Sequence, residues 1–285
     1  MISIIICSRS TTIDAKFSQN IEETIGCAYE LIVIDNSENN YSIYEAYNIG
    51  IKRAKGDYWC FMHDDILFHT QNWGLEVLRI FEADSKIGLL GVAGAKLKTK
   101  MPSGWWNCPS DLKNINIIQH FPDKEKELQF MGWQTNNQIE EVAVIDGVFM
   151  FAKKDDFIFF NEEDSGFHNY DLYLSAIYNK HNFKVVVTNS VLIEHFSYGN
   201  LNVKWIESSY DFFKKYKGLF PINKSKLNTV EIKKIELFNG FNFIEKLINE
   251  GKIGKALSIW ICLFKIKPIS MYHWRVIQKF LEKYK

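Results

Sequence analysis

The chain has no surplus of charge: 34 Lys and Arg stand against 34 Asp and Glu. A nucleic-acid-binding protein normally carries a basic excess, so neutrality argues against that class. Its five cysteines form no Cys-x-x-Cys pair and leave an odd number. A disulfide framework or zinc site is thereby disfavoured, and a reducing cytosol is the expected home. No apolar run approaches the ~18–20 residues of a membrane span. The longest candidate, 256–264, is flanked by lysines on both sides. Residues 1–7 are apolar but lack the basic flank and length of a signal peptide. The expectation is a soluble protein, or one that lies on a membrane without crossing it. No Gly-x-Gly-x-x-Gly follows the first β-branched run, so the dinucleotide-binding Rossmann fingerprint is missing. There is no internal repeat and no low-complexity tract.

Hydrophobic residues make up 47% of the 285 positions, enough to bury a full core in one large domain or one domain with an appendage. The chain is organised around Gly56 to Phe68. Tyr58 to Met62 carries no charge, the pattern of a strand buried on both faces. It stops abruptly on His63, Asp64 and Asp65. Three polar groups at the mouth of such a strand are costly unless solvated or bound. In open α/β sheets ligands sit outside the carboxyl ends of the strands. The trio therefore reads as a metal and ligand site, against the alternative of a solvated Asp-Asp loop.

The rest of the chain repeats the design. Residues 2–7 are a β-branched run ending in Ser8-Arg9-Ser10, and 30–35 form a second run ending on Asp35, Asn36 and Ser37. Between them 13–25 predicts a crossover helix. Ile43, Ala46, Tyr47, Ile51 and Ala54 follow a period near 3.6 over 42–55, with Gly56 as the helix stop. Two βα units leading to a third strand predict an α/β fold with a parallel sheet and right-handed crossovers. Ser8, Asp35 and Asn36 are placed to hydrogen-bond a base and ribose. A helix over 73–84 and a buried strand over 88–93 come next.

Residues 96–138 read as a long loop rich in turn chemistry, the kind used as a lid or binding loop. Its Trp105 and Trp106 either stack on a sugar face or pin the loop to the core. A strand over 142–152 is apolar except for Asp146-Gly147, and glycine within a strand marks close approach by a ligand. Asp171 stands near the start of a helix over 172–180, where an N-cap role is the plainer reading. Strands over 185–188 and 191–193 follow, the second delivering Glu194-His195. Beyond 203 the pattern is helical, over 203–216, 229–249, 252–264 and 269–284. Eight Lys or Arg face one acid between 252 and 285.

The order of these motifs resembles the family 2-like glycosyltransferases of GT-A fold, in the subgroup with a histidine in the metal motif. Ile4-Ile5-Ile6-Cys7-Ser8-Arg9 is similar to the family's first strand. Leu31-Ile32-Val33-Ile34-Asp35-Asn36 is similar to its second, whose terminal Asp contacts the nucleotide base. Ala46-Tyr47-Asn48-Ile49-Gly50 matches its Asn-x-Gly helix. Phe61-Met62-His63-Asp64-Asp65 stands where most members have Asp-x-Asp, with His63 replacing the first Asp.

The resemblance implies a GT-A type, Rossmann-like, mostly parallel sheet flanked by helices over 1–216, with a helical C-terminal region over 217–285. It implies His63, Asp65 and His195 as ligands of a divalent cation, Mn²⁺ or Mg²⁺, and Asp171 as catalytic base. Ser8, Arg9, Asp35, Asn36, Asn48, Asp64, Asp146, Gly147, Trp105 and Trp106 are the residues assigned to donor binding. Tyr170 stands where many relatives carry a second carboxylate.

The implied reaction is inverting transfer from a nucleotide-sugar, a UDP-sugar first, to a hydroxyl of a glycan, lipid-linked or protein-linked acceptor, as in polysaccharide biosynthesis. A cytosolic site suits that reaction, and 252–285 reads either as a small helical bundle packed on the catalytic domain with a solvated basic side, the plainer reading, or as a peripheral contact with an anionic membrane surface. Two other classes keep a place. A nucleotidyltransferase usually brings a glycine-rich basic loop that Ser8-Arg9-Ser10 lacks, and a non-catalytic binding module would tolerate loss of Asp65.

Overall fold

β-Branched runs alternate with amphipathic helices through the first sixty residues, and the backbone follows that alternation. The computed structural model describes residues 1–134, 137–156, 158–199 and 201–283. It opens with β1 (Ile2–Ser8), α1 (Ala15–Thr24), β2 (Tyr29–Asp35), α2 (Ile43–Arg53) and β3 (Tyr58–Met62). Asp14 caps α1, accepting from the Lys16 and Phe17 N–H groups, and Ser42 with Glu45 forms a capping box on α2. There follow β4 (Ile66–Phe68), α3 (Trp73–Ala83), β5 (Ile87–Gly91), β6 (Ala93–Ala95), β7 (Leu97–Lys98), β8 (Lys113–Gln119), β9 (Glu127–Met131), β10 (Ile139–Glu141), β11 (Val144–Ile145) and β12 (Phe149–Lys153). The chain ends through α4 (Tyr170–Lys180), β13 (Lys184–Thr188), β14 (Ile193–His195), α5 (Val203–Tyr216), β15 (Ile222–Asn223), α6 (Thr229–Asn249), α7 (Ile253–Ile266) and α8 (Met271–Lys283).

The central sheet has the order β10-β13-β5-β12-β3-β1-β2. β1 pairs in parallel with both β2 and β3, and β13 in parallel with β5. β12 enters antiparallel between β3 and β5, so the sheet is mixed at its centre. Alternate residues of β1 serve opposite faces: Ile2, Ile4 and Ile6 pack into one cluster with α1 and α3, and Ile5 into another with α2 and α4. A second sheet, β11-β6-β8-β14-β4, with β9 added on β8, lies beside the carboxyl end of β3.

Several expectations need correction. Residues 96–138 are not a bare loop, because they contain β7, β8 and β9. Lys-Asn-Ile-Asn-Ile-Ile-Gln alternates with period 2, and the amide N–H groups of its buried Asn114 and Asn116 donate to backbone carbonyls. The strand expected over 142–152 is two strands in two sheets, broken at Asp146-Gly147-Val148 where the Asp146 carboxylate accepts from the Val148 N–H at 2.8 Å. Gly56 does not cap α2. It lies in the turn after it, where a Cβ would come within 2.6 Å of the Met1 carbonyl oxygen. The last helix begins at Met271, and Tyr284 and Lys285 lie outside the described residues.

Candidate active site

The polar end of β3 emerges between the two sheets. The His63 N–H donates to the Val148 carbonyl at 3.1 Å, and β14 pairs with β4 so that His195 faces Ile66, next to Asp65. Three atoms converge as a result. His63 Nδ1 and His195 Nε2 are 3.4 Å apart, and Asp65 Oδ1 is 3.7 Å from the first and 3.5 Å from the second. Asp65 Oδ1 is buried and accepts no hydrogen bond, an arrangement that is costly for a carboxylate with nothing bound to it. The centre of such a triangle lies about 2 Å from each corner, the bond length of a first-row divalent cation to imidazole nitrogen or carboxylate oxygen.

Neighbouring groups turn both imidazoles toward that centre. Gln119 Nε2 donates to the carbonyls of His120, His195 and Ser197, which assigns its oxygen to the His195 ring. Gln119 Oε1 lies 3.0 Å from His195 Nδ1, so that nitrogen carries the proton and Nε2 offers its lone pair. On the other side, Tyr170 Oη donates to the Gly147 carbonyl at 3.4 Å and lies 2.9 Å from His63 Nε2. The phenol then accepts from Nε2–H, leaving His63 Nδ1 free. Burial, followed by the neighbouring His195, pushes the His63 imidazole below its usual range, toward the neutral form a metal requires. Burial acts to raise the Asp65 carboxyl, but a proton on the facing nitrogen of His195 or His63, together with Ser197, outweighs it and holds the group well below the usual carboxylate range. The donor set fits a divalent cation.

The break between β11 and β12 forms a second wall. Trp105 Nε1 donates to Asp146 Oδ2 at 2.6 Å, and Val148 N–H to Asp146 Oδ1. Gly147 is required here: a Cβ on it would meet Tyr170 Oη at 2.4 Å and displace the ring that holds His63. Asn169, at φ 65°, holds the N-cap position of α4 without a side-chain capping bond, and its amide donates to Ser208. Asp171 is therefore a first-turn residue and not the cap. Its half-buried carboxylate accepts from the Leu172 N–H at 2.8 Å. Burial, reinforced by the Asp146 charge, pushes Asp171 up to about 7.

The structure thus brings His63, Asp65 and His195 into one cluster and links it through Tyr170 to Gly147. Ser8 Oγ donates to Asp64 Oδ2 at 2.6 Å, so Asp64 turns toward β1 and away from the triangle. Asp35 pairs in register with Ser8 and is exposed; the Ser37 N–H it accepts lowers its carboxyl. Asn36 is buried with its amide spent on both backbone groups of Tyr41. Arg9 is exposed, with its guanidinium 5.9 Å above the Phe167 ring. Asn48 lies apart, its amide bridging the N–H and carbonyl of Phe160. Trp105 is buried and Trp106 packs against Trp205, with ring centres 6.5 Å apart, so both tie the loop down.

Sequence reasoning missed the supporting roles of Tyr170, Gln119 and Lys98. Lys98 is buried, its Nζ donating to the Thr99 and Met101 carbonyls and to Ser103 Oγ. Burial lowers the amine to about 8 while Glu236 and Asp171 pull it back. Gln119 and Lys98 sat in a stretch read as loop. Tyr170 carried one signal, its place beside Asp171 in the helix-start motif.

Comparison with known proteins bears on the family and the fold. The model of a family described as glycosyltransferase-like matches residues 3–216. No curated protein matches the chain. Among solved structures, TarS 1-349 from S. aureus in complex with UDP-GlcNAc is 13% identical, with 99% of this chain and 89% of that one covered and a TM-score of 0.57. GalNAc-T7 with UDP, GalNAc and Mn²⁺ is 10% identical, covering 84% of this chain at a TM-score of 0.52, and this chain spans 54% of it. At these identities the likeness is one of fold, the GT-A arrangement of mixed sheet and flanking helices.

Proposed function

The chain belongs to the glycosyltransferase-like family, and from that premise we propose that it transfers a sugar, with inversion, from a UDP-sugar to a hydroxyl of a glycan, lipid-linked or protein-linked acceptor. The observation that carries the reading is the triangle of His63 Nδ1, His195 Nε2 and the unpartnered Asp65 Oδ1. These three would hold a divalent cation, and mixed nitrogen and oxygen donors suit Mn²⁺ at least as well as Mg²⁺. Bound there, the cation offsets the charge that grows on the donor's diphosphate as the glycosidic bond breaks.

The chain's own residues supply the rest. Tyr170 and Gln119 fix the imidazole tautomers. Asp171, raised to about 7, is matched to taking a proton from an acceptor hydroxyl near neutral pH. A base on the face opposite the leaving group gives in-line displacement, hence inversion. Asp35, exposed at the end of β2, can accept from the imide N–H of uracil, with Ser8, Arg9 and Asn36 around it. Asp146 and Gly147 wall the sugar side, with Trp105 and Trp106 fixing the loop behind them, while Asp64 braces the end of β1 and Asn48 holds the more distant Phe160 backbone. We place the reaction in the cytosol, the setting that five free thiols favour.

Calorimetric titration with Mn²⁺ should rank UDP above GDP and CDP, and Asp65→Asn should abolish the Mn²⁺-dependent part. Unchanged nucleotide affinity and donor turnover in Asp65→Asn would reject the site.

A further inference from the structure

The last two helices turn an apolar surface outward. Ala256, Ile259 and Leu263 of α7 are buried against the preceding helix, whereas Leu257, Ile261 and Phe264, at spacing i, i+4, i+7, are exposed. α8 runs back antiparallel along α7, as Phe264 stacks on His273 at 3.8 Å and Trp260 meets Phe280 at 5.8 Å. Tyr272 and His273 contact Phe241 of α6 on one flank of α8. At 100° per residue, Trp274 and Leu281 then fall on the other flank, beside Leu257, Ile261 and Phe264. Ile261, Trp274 and Leu281 are each about three-fifths exposed (58%, 58% and 61%), and Ile269 at the connecting turn is 89% exposed. A contiguous apolar face of this kind marks an interaction surface.

Charge selects what covers it. Lys265 and Lys267 flank the exposed turn, and Arg275 lies one residue from Trp274. Among the described residues none of the three has an acidic partner. Residues 252–285 hold eight basic groups and one acid in a chain of zero net charge; Lys252, Lys255 and Lys279 pair with Glu207, Asp211 and Glu245, while Lys265, Lys267 and Arg275 add their charge at the exposed turn and face. An apolar stripe with an indole, rimmed by unpaired cations, is the chemistry that seats a helix in the headgroup region of an anionic bilayer. No described helix is long and apolar enough to cross a membrane.

We propose that the α7–α8 face is a peripheral docking surface for an anionic lipid bilayer, with Ile261, Ile269, Trp274 and Leu281 entering the acyl boundary and Lys265, Lys267 and Arg275 facing lipid phosphate. The surface is independent of the transfer chemistry, so each can fail without the other.

The test is co-sedimentation of the full chain with vesicles of phosphatidylcholine alone and with 30% phosphatidylglycerol, at low and high salt. Binding should require the anionic lipid and weaken with salt. Each basic residue near such a surface strengthens binding about fivefold, so Lys265→Gln with Lys267→Gln should weaken it about 30-fold. Ile261→Glu with Trp274→Glu should abolish it while circular dichroism and UDP affinity stay as in the parent chain, because both positions are on the outer face. Absence of binding to anionic vesicles at low salt would overturn the proposal, as would binding that survives the double glutamate variant. A dimer in solution that this variant dissociates, without vesicle binding by the parent, would assign the face to a second copy and overturn it equally.

Discussion

Keeping a carboxylate out of water costs stability, and Asp171 carries that cost where the proposed chemistry needs a base. Its folded pKa of about 7 exceeds the ~4 of an unfolded aspartate, so between those values the folded chain holds a proton the unfolded chain has lost. Stability therefore falls as pH rises through that window, while the fraction of active base increases. Two outcomes follow from the one shift. Transfer should rise with pH through about 7, and Asp171→Asn should lose roughly 10²–10⁴-fold in turnover while melting at a higher temperature than the parent at pH 8 but not at pH 4. A turnover profile flat from pH 5.5 to 8.5, or near-normal activity in the asparagine variant, would remove Asp171 from the chemistry. Tyr170 gives a second case. Tyr170→Phe keeps the ring that Gly147 accommodates but leaves His63 Nε2 without its partner, so the wrong tautomer can form. Metal affinity measured by titration should fall about 10–100-fold with little change in melting temperature; unaltered Mn²⁺ affinity would show that the phenol is only packing. Asp65 was legible in the sequence because a polar trio after an apolar run breaks a pattern. Tyr170 was not, because a tyrosine in a helix start looks the same whether it fills the core or orients a ligand.

At the scale of elements, the wall of the candidate site is held by a helix far away in the chain. Glu236 of α6 is buried, and its two oxygens accept from the backbone N–H groups of Lys100 at 2.8 Å and Met101 at 2.9 Å. Asn239, one turn on, donates to Thr99 Oγ1 and to the Asn107 carbonyl. Between those anchors lies Trp105, whose indole fixes Asp146. Glu236→Gln replaces one acceptor oxygen with a donor, so one buried N–H loses its partner, a cost of about 1–3 kcal/mol. The amides of Lys100 and Met101 should then exchange with solvent markedly faster, measured by hydrogen exchange, while those of β1 keep their protection. Equal protection at 100 and 101 would mean that the loop holds itself. None of this could be read from the local pattern, since the bonds join residues more than 130 positions apart. The elements themselves were legible wherever one periodicity ran unbroken: α5 and α6 have the expected bounds, as does β3. β8 was missed because both its faces are buried and, opposite the core-facing Ile115 and Ile117, one is lined by Asn114 and Asn116, whose amide N–H groups find backbone partners only in the folded chain.

For the whole molecule, the change to helices after residue 203 marks a change of pattern without marking a break in the packing. Trp205, Ile206 and Phe213 of α5 share one buried cluster with Met101 and with the apolar sides of α6, α7 and α8. β15 pairs with β7, Ile222 opposite Lys98, and the Lys224 N–H donates to the Lys96 carbonyl at 2.7 Å. The division at 216/217 that the sequence implies therefore cuts through a shared core, and we propose that the two parts fold as one unit. Burial of a large apolar side chain contributes about 1.5–3 kcal/mol, so exposing Trp205, Ile206 and Phe213 together costs about 5–9 kcal/mol. That is comparable with the entire stability of a typical domain, about 5–15 kcal/mol. Scanning calorimetry of the full chain should show one cooperative transition, and a fragment of residues 1–216 should be unfolded or melt far lower, with no Mn²⁺-dependent nucleotide binding. Two resolved transitions in the full chain, or a fragment that binds UDP with the parent's affinity, would make the C-terminal helices a separate body attached to a self-sufficient catalytic domain.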